Sequence, residues 1–241
     1  MTRILVVEHD RECPPALFGG WLEAVGCELD VRRPYAGDAL PALDGYDALI
    51  VLGGPMGAND DEAHAWLAPV KEQIREARAT HLPTLGICLG HQLIAVALGG
   101  TVRPNGHGQQ VGLIGVEWSE AAGADRLVGR IATPRRGVQW NDDIVVDLPP
   151  DAVLLAATGR GEVQAARYAA QMWGVQLHPE VDETILRPWA EEDRGSHEAL
   201  GVDTDAMLRD VGAARDELED AWRPLAIAFA DLAREHAKAA R

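Results

Sequence analysis

The first hundred residues alternate short strand-like runs with segments of helical spacing, and this alternation most constrains the fold. The runs at 3–8, 27–33, 46–54 and 83–88 each predict a strand. The segments between and after them predict helices, the last of which ends at the Gly99–Gly100 pair. Strands joined by helices pack as a largely parallel sheet with helices on both faces and right-handed crossovers. We therefore predict a three-layer α/β fold.

The second half of the chain has a different pattern. Several strand-like runs follow one another with only short turns between them, which predicts a smaller antiparallel extension of the sheet. Residues 193–205 are polar and predict a loop, and the residues after them predict helix that Pro224 splits or bends. Pro69 is expected to kink the helix before the fourth strand. We predict one domain over residues 1–192, with residues 193–241 as a loop and helical extension packed on it.

Composition and charge exclude several classes of protein. A formal net charge of −16 would repel nucleic-acid phosphates and anionic lipid, so we expect neither as a partner. No stretch approaches the roughly 20 apolar residues of a membrane helix. The apolar run near the N-terminus is too short for the core of a signal peptide. Three cysteines cannot all pair within one chain, and such odd, sparse usage predicts free thiols in the cytoplasm.

The stretch from Gly86 to Gly90 places Cys88 between a predicted strand and a predicted helix. Its pattern of glycine, any residue, nucleophile, any residue, glycine is that of a strand–turn–helix elbow. Such a corner projects the sulfur at the carboxyl end of the sheet, where open α/β sheets bind ligands. Unpaired N–H groups at the helix N-terminus favour the reactive thiolate. A buried structural cysteine is the alternative, and we adopt it for Cys13 and Cys27.

A base for this thiol is predicted in the segment "QLHPEVD". His178 and Glu180 stand two residues apart around Pro179, which favours an extended backbone before it. Residues i and i+2 of an extended segment point the same way, so the carboxylate could orient the imidazole. Cys88, His178 and Glu180 would then form a nucleophile, base and orienting acid. Taken alone, a His-Pro-Glu at the end of a strand is usually just a turn.

The glycine-rich stretch at residues 51–60 also ends a strand at this edge of the sheet. Acyl transfer through Cys88 needs two N–H donors aimed at the tetrahedral oxyanion. The N–H of Leu89, directly after the nucleophile, is predicted to be one donor, and the N–H of Gly54 is predicted to be the second. A tight turn is the alternative interpretation of these glycines. A phosphate-binding loop is disfavoured, because the chain has no Gly-Lys-Ser/Thr sequence.

Together, "GGPMG", "GICLGHQ" and "GVQLHPE" resemble the motifs of the class I (triad) glutamine amidotransferases, in that family's order and separations. The chain is most similar to stand-alone members related to the glutaminase domain of GMP synthetase. The resemblance implies a flavodoxin-like fold, a Cys88–His178–Glu180 triad, and an oxyanion hole at Gly54 and Leu89. It also implies a γ-glutamyl thioester route that needs no metal and no cofactor. Substrate contacts are implied at Gly53 and Gln92.

Two regions depart from the family pattern. The chain reads Trp140-Asn141-Asp142 where relatives often carry His-Gly-Asp, and it has Gln109 and Gln110 where many relatives have an acidic residue. The family places both regions near the mouth of the substrate site, so we assign Gln110 and Asn141 to substrate binding. The departures leave the γ-glutamyl chemistry better supported than glutamine itself as substrate.

Three functions remain open at the level of sequence. The first is a glutaminase or amidotransferase that releases ammonia and glutamate from glutamine. The second is a γ-glutamyl peptidase or hydrolase acting on another γ-glutamyl amide, and the third is a non-catalytic regulatory or binding subunit. The last fifty residues are too few for an ATP-pyrophosphatase domain. A synthetase that accepts the ammonia would therefore be a separate partner chain.

Overall fold

In the computed structural model, which describes residues 1–133 and 135–239, strands and helices alternate through the first half of the chain. The strands are β1 (Thr2–Val7), β2 (Cys27–Arg32), β3 (Ala48–Val51), β4 (Thr84–Ile87), β5 (Thr101–Pro104), β6 (Gln110–Trp118), β7 (Arg135–Asn141), β8 (Asp143–Asp147), β9 (Val153–Ala157), β10 (Val163–Ala169) and β11 (Met172–Val175). The α-helices are α1 (Ala16–Ala24), α2 (Leu67–Ala79), α3 (Leu89–Ala97), α4 (Glu183–Glu192), α5 (Arg194–Leu200), α6 (Thr204–Ala213) and α7 (Arg215–Ala239).

One mixed sheet of nine strands organises the molecule. Its order is β2-β1-β3-β4-β11-β10-β9-β6-β7, and β5 pairs with β8 in a separate two-stranded sheet. The first five strands run parallel, and the remaining pairs are antiparallel. The predicted α/β fold with an antiparallel extension is confirmed. The carboxyl ends of β3 and β4 consequently meet at one edge of the sheet.

The central strands are buried on both faces. In β1, Ile4 and Val6 point into one apolar cluster, whereas Leu5 and Val7 point into the other. Because strand side chains alternate in direction, a continuous apolar run of this kind needs a layer of helices on each side. The first cluster includes side chains of α1 and α7, and the second includes side chains of α2 and α3. One cluster lies on each face of the sheet, so the fold has the three predicted layers: helices, sheet and helices.

The structure corrects two predicted effects of proline. Helix α2 begins at Leu67, so Pro69 lies in the first turn and does not kink the helix. Proline is tolerated there because first-turn N–H groups lack intrahelical partners. Helix α7 continues through Pro224, so the predicted split does not occur there, and the break between the last two helices falls at Ala214 instead. A bend at Pro224 stays a prediction. In the described part of the chain, every helix falls short of the length or the hydrophobicity that a membrane span requires.

The loop predicted at residues 193–205 is also wrong over much of its length. Helix α5 occupies Arg194–Leu200 and ends at Gly201, which has a positive φ of 73°. A single buried ring, His197, packs against Trp140 and anchors this helix, so the segment shows no apolar stripe. Helix α7 shares its apolar cluster with β1. The predicted division at residue 192 stays a prediction.

Candidate active site

Cys88 lies at the corner between β4 and α3. Its N–H donates to Val175 O at 2.9 Å, and its carbonyl accepts from Gln92 N at 3.1 Å. One residue therefore ends the sheet ladder and begins the helix. It does so with a φ of 51° and a ψ of −109°, a backbone conformation that residues other than glycine rarely adopt. The corner holds the sulfur at the carboxyl edge of the sheet.

The two flanking glycines are required by close backbone contacts. A Cβ added to Gly86 would lie 2.5 Å from the carbonyl carbon and oxygen of Gly90. A Cβ added to Gly90 would lie 1.9 Å from Val51 O in β3. The helix therefore starts directly against the sheet, and neither position has room for a side chain.

His178 and Glu180 follow β11 and meet in the arrangement that their spacing predicts. His178 N donates to Val138 O at 2.8 Å, which fixes the backbone, and His178 Nδ1 lies 2.7 Å from Glu180 Oε1. Both side chains are buried. Burial opposes protonation of the imidazole, but the negative charges of Cys88 and Glu180 outweigh it and raise the pKa of His178 well above its usual value.

Cys88 and the imidazole of His178 face each other across Gly53. A Cβ added to Gly53 would lie 3.3 Å from His178 Cε1 and 3.6 Å from Cys88 Cβ. His178 Nε2 is buried and has no hydrogen-bond partner among the described residues. The ring of Trp189 packs edge-on against the imidazole, with 5.2 Å between centroids. The imidazole and the thiol therefore lie on the same side of Gly53, and Nε2 is shielded from bulk water.

A pair of buried amides supports the sulfur. Gln176 Nε2 donates to Cys88 Sγ at 3.5 Å, and Gln176 Oε1 accepts from Gln92 Nε2 at 3.2 Å. Gln92 Nε2 also donates to Asp143 O at 2.9 Å. Gln92 lines the cavity, but its two N–H groups are engaged, so only its oxygen remains for a ligand. Its predicted contact with substrate stays a prediction. The sequence prediction missed Gln176, although it lies two residues before His178, the same spacing as that between His178 and Glu180.

The two residues predicted to supply the oxyanion donors, Gly54 and Leu89, lie close together in the structure. A Cβ added to Gly54 would lie 3.2 Å from Leu89 Cδ2. In residues 1–133 and 135–239, neither Gly54 N nor Leu89 N donates to a backbone oxygen. Stabilising a developing oxyanion requires N–H groups that are free to donate, and in the described part of the chain these two have no backbone acceptor. Their role as the oxyanion hole stays a prediction.

A cavity of about 600 Å³ opens over these residues. Five of the predicted site residues line it: Gly54, Cys88, Gln92, Asn141 and His178. Gly53 and Gln110 lie behind the wall. Gly53 is covered by the thiol and imidazole, and Gln110 Oε1 accepts from Asn141 Nδ2 at 3.1 Å. Contacts of Gly53 and Gln110 with substrate stay predictions.

Other cavity residues were not predicted. Trp140 and Trp189 form an aromatic wall, with ring centroids 6.0 Å apart, and Trp140 Nε1 donates to Asp193 Oδ2 at 2.9 Å. Cys13 also lines the cavity. Burial, followed by the nearby charge of Cys88, raises the pKa of the Cys13 thiol far above its usual value. No sequence signal links these distant residues to Cys88, because tertiary packing alone brings them together.

Comparison with known proteins gives a consistent answer. The family model for class I glutamine amidotransferases matches residues 21–189. One subunit of the glutamine-hydrolysing GMP synthase of Halobacterium salinarum is 35% identical over 76% of this chain and 92% of its own. A γ-glutamyl peptidase of Arabidopsis thaliana is 28% identical over 60% of this chain and 57% of its own. The crystal structure of a glutamine amidotransferase from Thermotoga maritima superposes with a TM-score of 0.85, covering 95% of this chain and 98% of that one at 25% identity. The chain belongs to the class I glutamine amidotransferase family.

Proposed function

We propose that this chain is a cysteine amidohydrolase that cleaves γ-glutamyl amides, with glutamine as the simplest substrate. One observation carries the proposal: His178 Nδ1 lies 2.7 Å from Glu180 Oε1, its Nε2 is buried without a partner among the described residues, and its ring and Cys88 both lie against Gly53. A base oriented in this way on one nitrogen can accept a proton from the thiol on the other.

The reaction divides into two acyl transfers. Cys88 Sγ attacks the γ-carbonyl carbon, its proton passes to His178, and an S–C bond forms. The C–N bond then breaks as His178 protonates the leaving nitrogen, which departs as ammonia or an amine. Water attacks the γ-glutamyl thioester, gives its proton to His178 and releases glutamate as the S–C bond breaks. The protonated imidazole returns its proton to the sulfur, so the cycle consumes one water.

Backbone donors would stabilise both tetrahedral intermediates. The N–H groups of Gly54 and Leu89 have no backbone acceptor in the described part of the chain. Leu89 directly follows Cys88, and Gly54 directly follows Gly53, whose Cα faces Cys88 Cβ. Loss of one such donor typically costs about 100-fold or more in kcat. Gln176, whose amide donates to Cys88 Sγ, favours the negatively charged sulfur that forms when the thioester breaks.

Two versions of this function differ in the leaving group. Release of ammonia to a separate synthetase chain is favoured by the likeness to one subunit of a GMP synthase. Hydrolysis of a larger γ-glutamyl amide is favoured by the likeness to a γ-glutamyl peptidase and by a cavity of about 600 Å³. A comparison of kcat/KM for glutamine and a panel of γ-glutamyl dipeptides and amines separates the two versions. A clear preference for free glutamine would exclude the second.

Release of glutamate tests the proposal against a non-catalytic role for the same fold. The native protein should release glutamate from glutamine or from a γ-glutamyl amide, and Cys88→Ala should abolish the activity. Cys13→Ala is the matched control, because Cys13 lines the same cavity and should leave activity largely intact. Equal rates in the native protein and Cys88→Ala would remove Cys88 from the mechanism. A folded native protein that releases no glutamate from any of these compounds would favour the non-catalytic role.

A further inference from the structure

The cavity is far more acidic than the rest of the chain. Among the described residues that line it, seven carry a carboxylate and one, Arg11, carries a guanidinium. In the whole chain, 38 acidic residues stand against 22 basic ones, a ratio of less than two to one. The concentration of negative charge around the cavity therefore exceeds what the overall acidity of the protein would produce.

Most of this charge is not neutralised by basic side chains. Glu12 forms an ion pair with the adjacent Arg11 at 3.5 Å. Among the described residues, the other six carboxylates have no Lys or Arg partner within ion-pairing distance: Asp10, Asp60, Asp142, Asp143, Glu192 and Asp193. The hydrogen bonds that described residues donate to three of these carboxylates, Asp10, Asp60 and Asp193, come from neutral groups. Asp193 Oδ2, for example, accepts from Gln109 Nε2 and Trp140 Nε1, which leaves its charge intact.

A buried acceptor without a partner lines the same cavity. Asn141 is 6% exposed, and its Nδ2 donates to Asp143 O and to Gln110 Oε1. Because a backbone carbonyl can only accept, this contact fixes which end of the amide is nitrogen. Asn141 Oδ1 is then left buried without a donor among the described residues. A buried acceptor of this kind is costly unless a ligand supplies the missing N–H.

The carboxylates also act on one another. Burial raises the pKa of Asp142, and the charge of Asp193 raises it further. Burial likewise raises the pKa of Asp143, with additional contributions from Asp142 and Asp60. This mutual repulsion would be relieved by a cation placed between the side chains. The carboxylates that line the cavity therefore repel one another unless a cation binds between them.

We propose that the substrate is the γ-glutamyl amide of a diamine or polyamine, whose free ammonium end lies among these carboxylates and near Asn141. This inference rests on the proposed function, because the γ-carbonyl must still reach Cys88. Free glutamine explains the lining less well. Glutamine carries one ammonium and one carboxylate and so has no net charge, whereas the γ-glutamyl amide of a diamine has the same two groups and a distal ammonium in addition. Only the diamine derivative therefore brings a net positive charge to the unpaired carboxylates of the cavity.

The products follow from the same two steps. The C–N bond breaks as the S–C bond forms, and His178 protonates the leaving nitrogen. Water then releases glutamate from Cys88, so one water is consumed, and the amine leaves with its distal ammonium unchanged. No oxidant, nucleotide or metal takes part in this balance.

Three γ-glutamyl amides of similar length test the charge preference. Their leaving amines are 1,4-diaminobutane, pentylamine and 4-aminobutanoate, which carry a positive, neutral and negative distal group. We expect kcat/KM to fall in that order, with about a tenfold advantage for the cation over the neutral amide, as one good ionic contact would give. Because salt screens charges, the advantage should shrink as ionic strength rises.

Paired substitutions locate the effect in the cavity. The double variant Asp142→Asn/Glu192→Gln should reduce the cation-to-neutral ratio of kcat/KM at least threefold. Its matched control, Asp44→Asn/Glu76→Gln, removes the same charge from exposed residues that do not line the cavity and should leave the ratio unchanged. An equal fall in the control would overturn the assignment to this cavity.

The outcomes also separate this inference from the function on which it rests. Hydrolysis of glutamine and the neutral amide without any advantage for the cation would overturn the inference and leave the proposed function standing. Absence of hydrolysis for glutamine and for all three amides, in folded protein, would overturn both.

Discussion

Gly90→Ala should destabilise the protein strongly, because the elbow has no space for a methyl group. The added Cβ would lie 1.9 Å from Val51 O and 2.6 Å from Val51 C, whereas ordinary contacts begin at 3.4 Å. Helix α3 and strand β3 would have to separate by about 1.5 Å within a packed core. Such overpacking costs about 3 kcal/mol or more. The shift would also move Cys88, so we expect kcat/KM to fall by at least about 100-fold.

Gly20→Ala is the matched control for this experiment. Gly20 also lies in a helix, α1, but a Cβ there meets nothing within 4 Å. Alanine should therefore stabilise the protein by about 0.5–1 kcal/mol, because it is the better helix former. Urea unfolding followed by circular dichroism would measure both free energies of unfolding, which should differ by about 4 kcal/mol. If Gly90→Ala is as stable and as active as the native protein, the reasoning about the elbow is refuted.

Three further predictions concern the buried polar groups. Glu180→Gln keeps an acceptor but removes the charge, so kcat/KM should fall about 100-fold or more and the pKa of His178, followed by NMR, should fall. Unchanged values would contradict an orienting role. Gln176→Leu should slow alkylation of Cys88 about tenfold by removing an N–H donor worth about 1.4 kcal/mol; an unaltered rate would exclude that role. Burial lowers the pKa of His9 and His91 to about 3 in the folded protein. Between about pH 6.5 and pH 3 the unfolded chain therefore binds more protons than the folded one. Stability should thus fall by about 2 kcal/mol for each ring from pH 7 to pH 5, and His91→Asn should show a smaller loss; an identical loss would contradict this origin.

The sequence predicts the elbow well because its constraints are local. Gly86, Cys88 and Gly90 must occupy one turn, and the i to i+2 relation between His178 and Glu180 follows from an extended backbone. The parallel core is also predictable, since each of its strands is a short run bounded by turn residues or helices. These features depend on neighbours within a few residues, and a single sequence carries them directly.

Long-range packing explains what the sequence does not reveal. The acidic lining of the cavity comes from segments as far apart as Asp10 and Asp193, which only the completed fold brings together. Helix α5 is held by the buried ring of His197 rather than by an apolar stripe, so its polar residues predict a loop. Pro224 is tolerated within α7, where Trp222 and Phe229 lie buried on either side of it. Tertiary packing stabilises this helix beyond its local propensity.

Covalent labelling tests the central claim, that Cys88 is a nucleophile activated by His178, most directly. A glutamine-like diazoketone should alkylate Cys88 with loss of dinitrogen, and mass spectrometry should find one adduct, on the peptide that contains this residue. Cys13 in the same cavity serves as an internal control, because its raised pKa keeps it protonated. His178→Ala should slow labelling about 100-fold. An adduct on Cys13 with Cys88 unmodified, or equal labelling rates with and without His178, would contradict the claim.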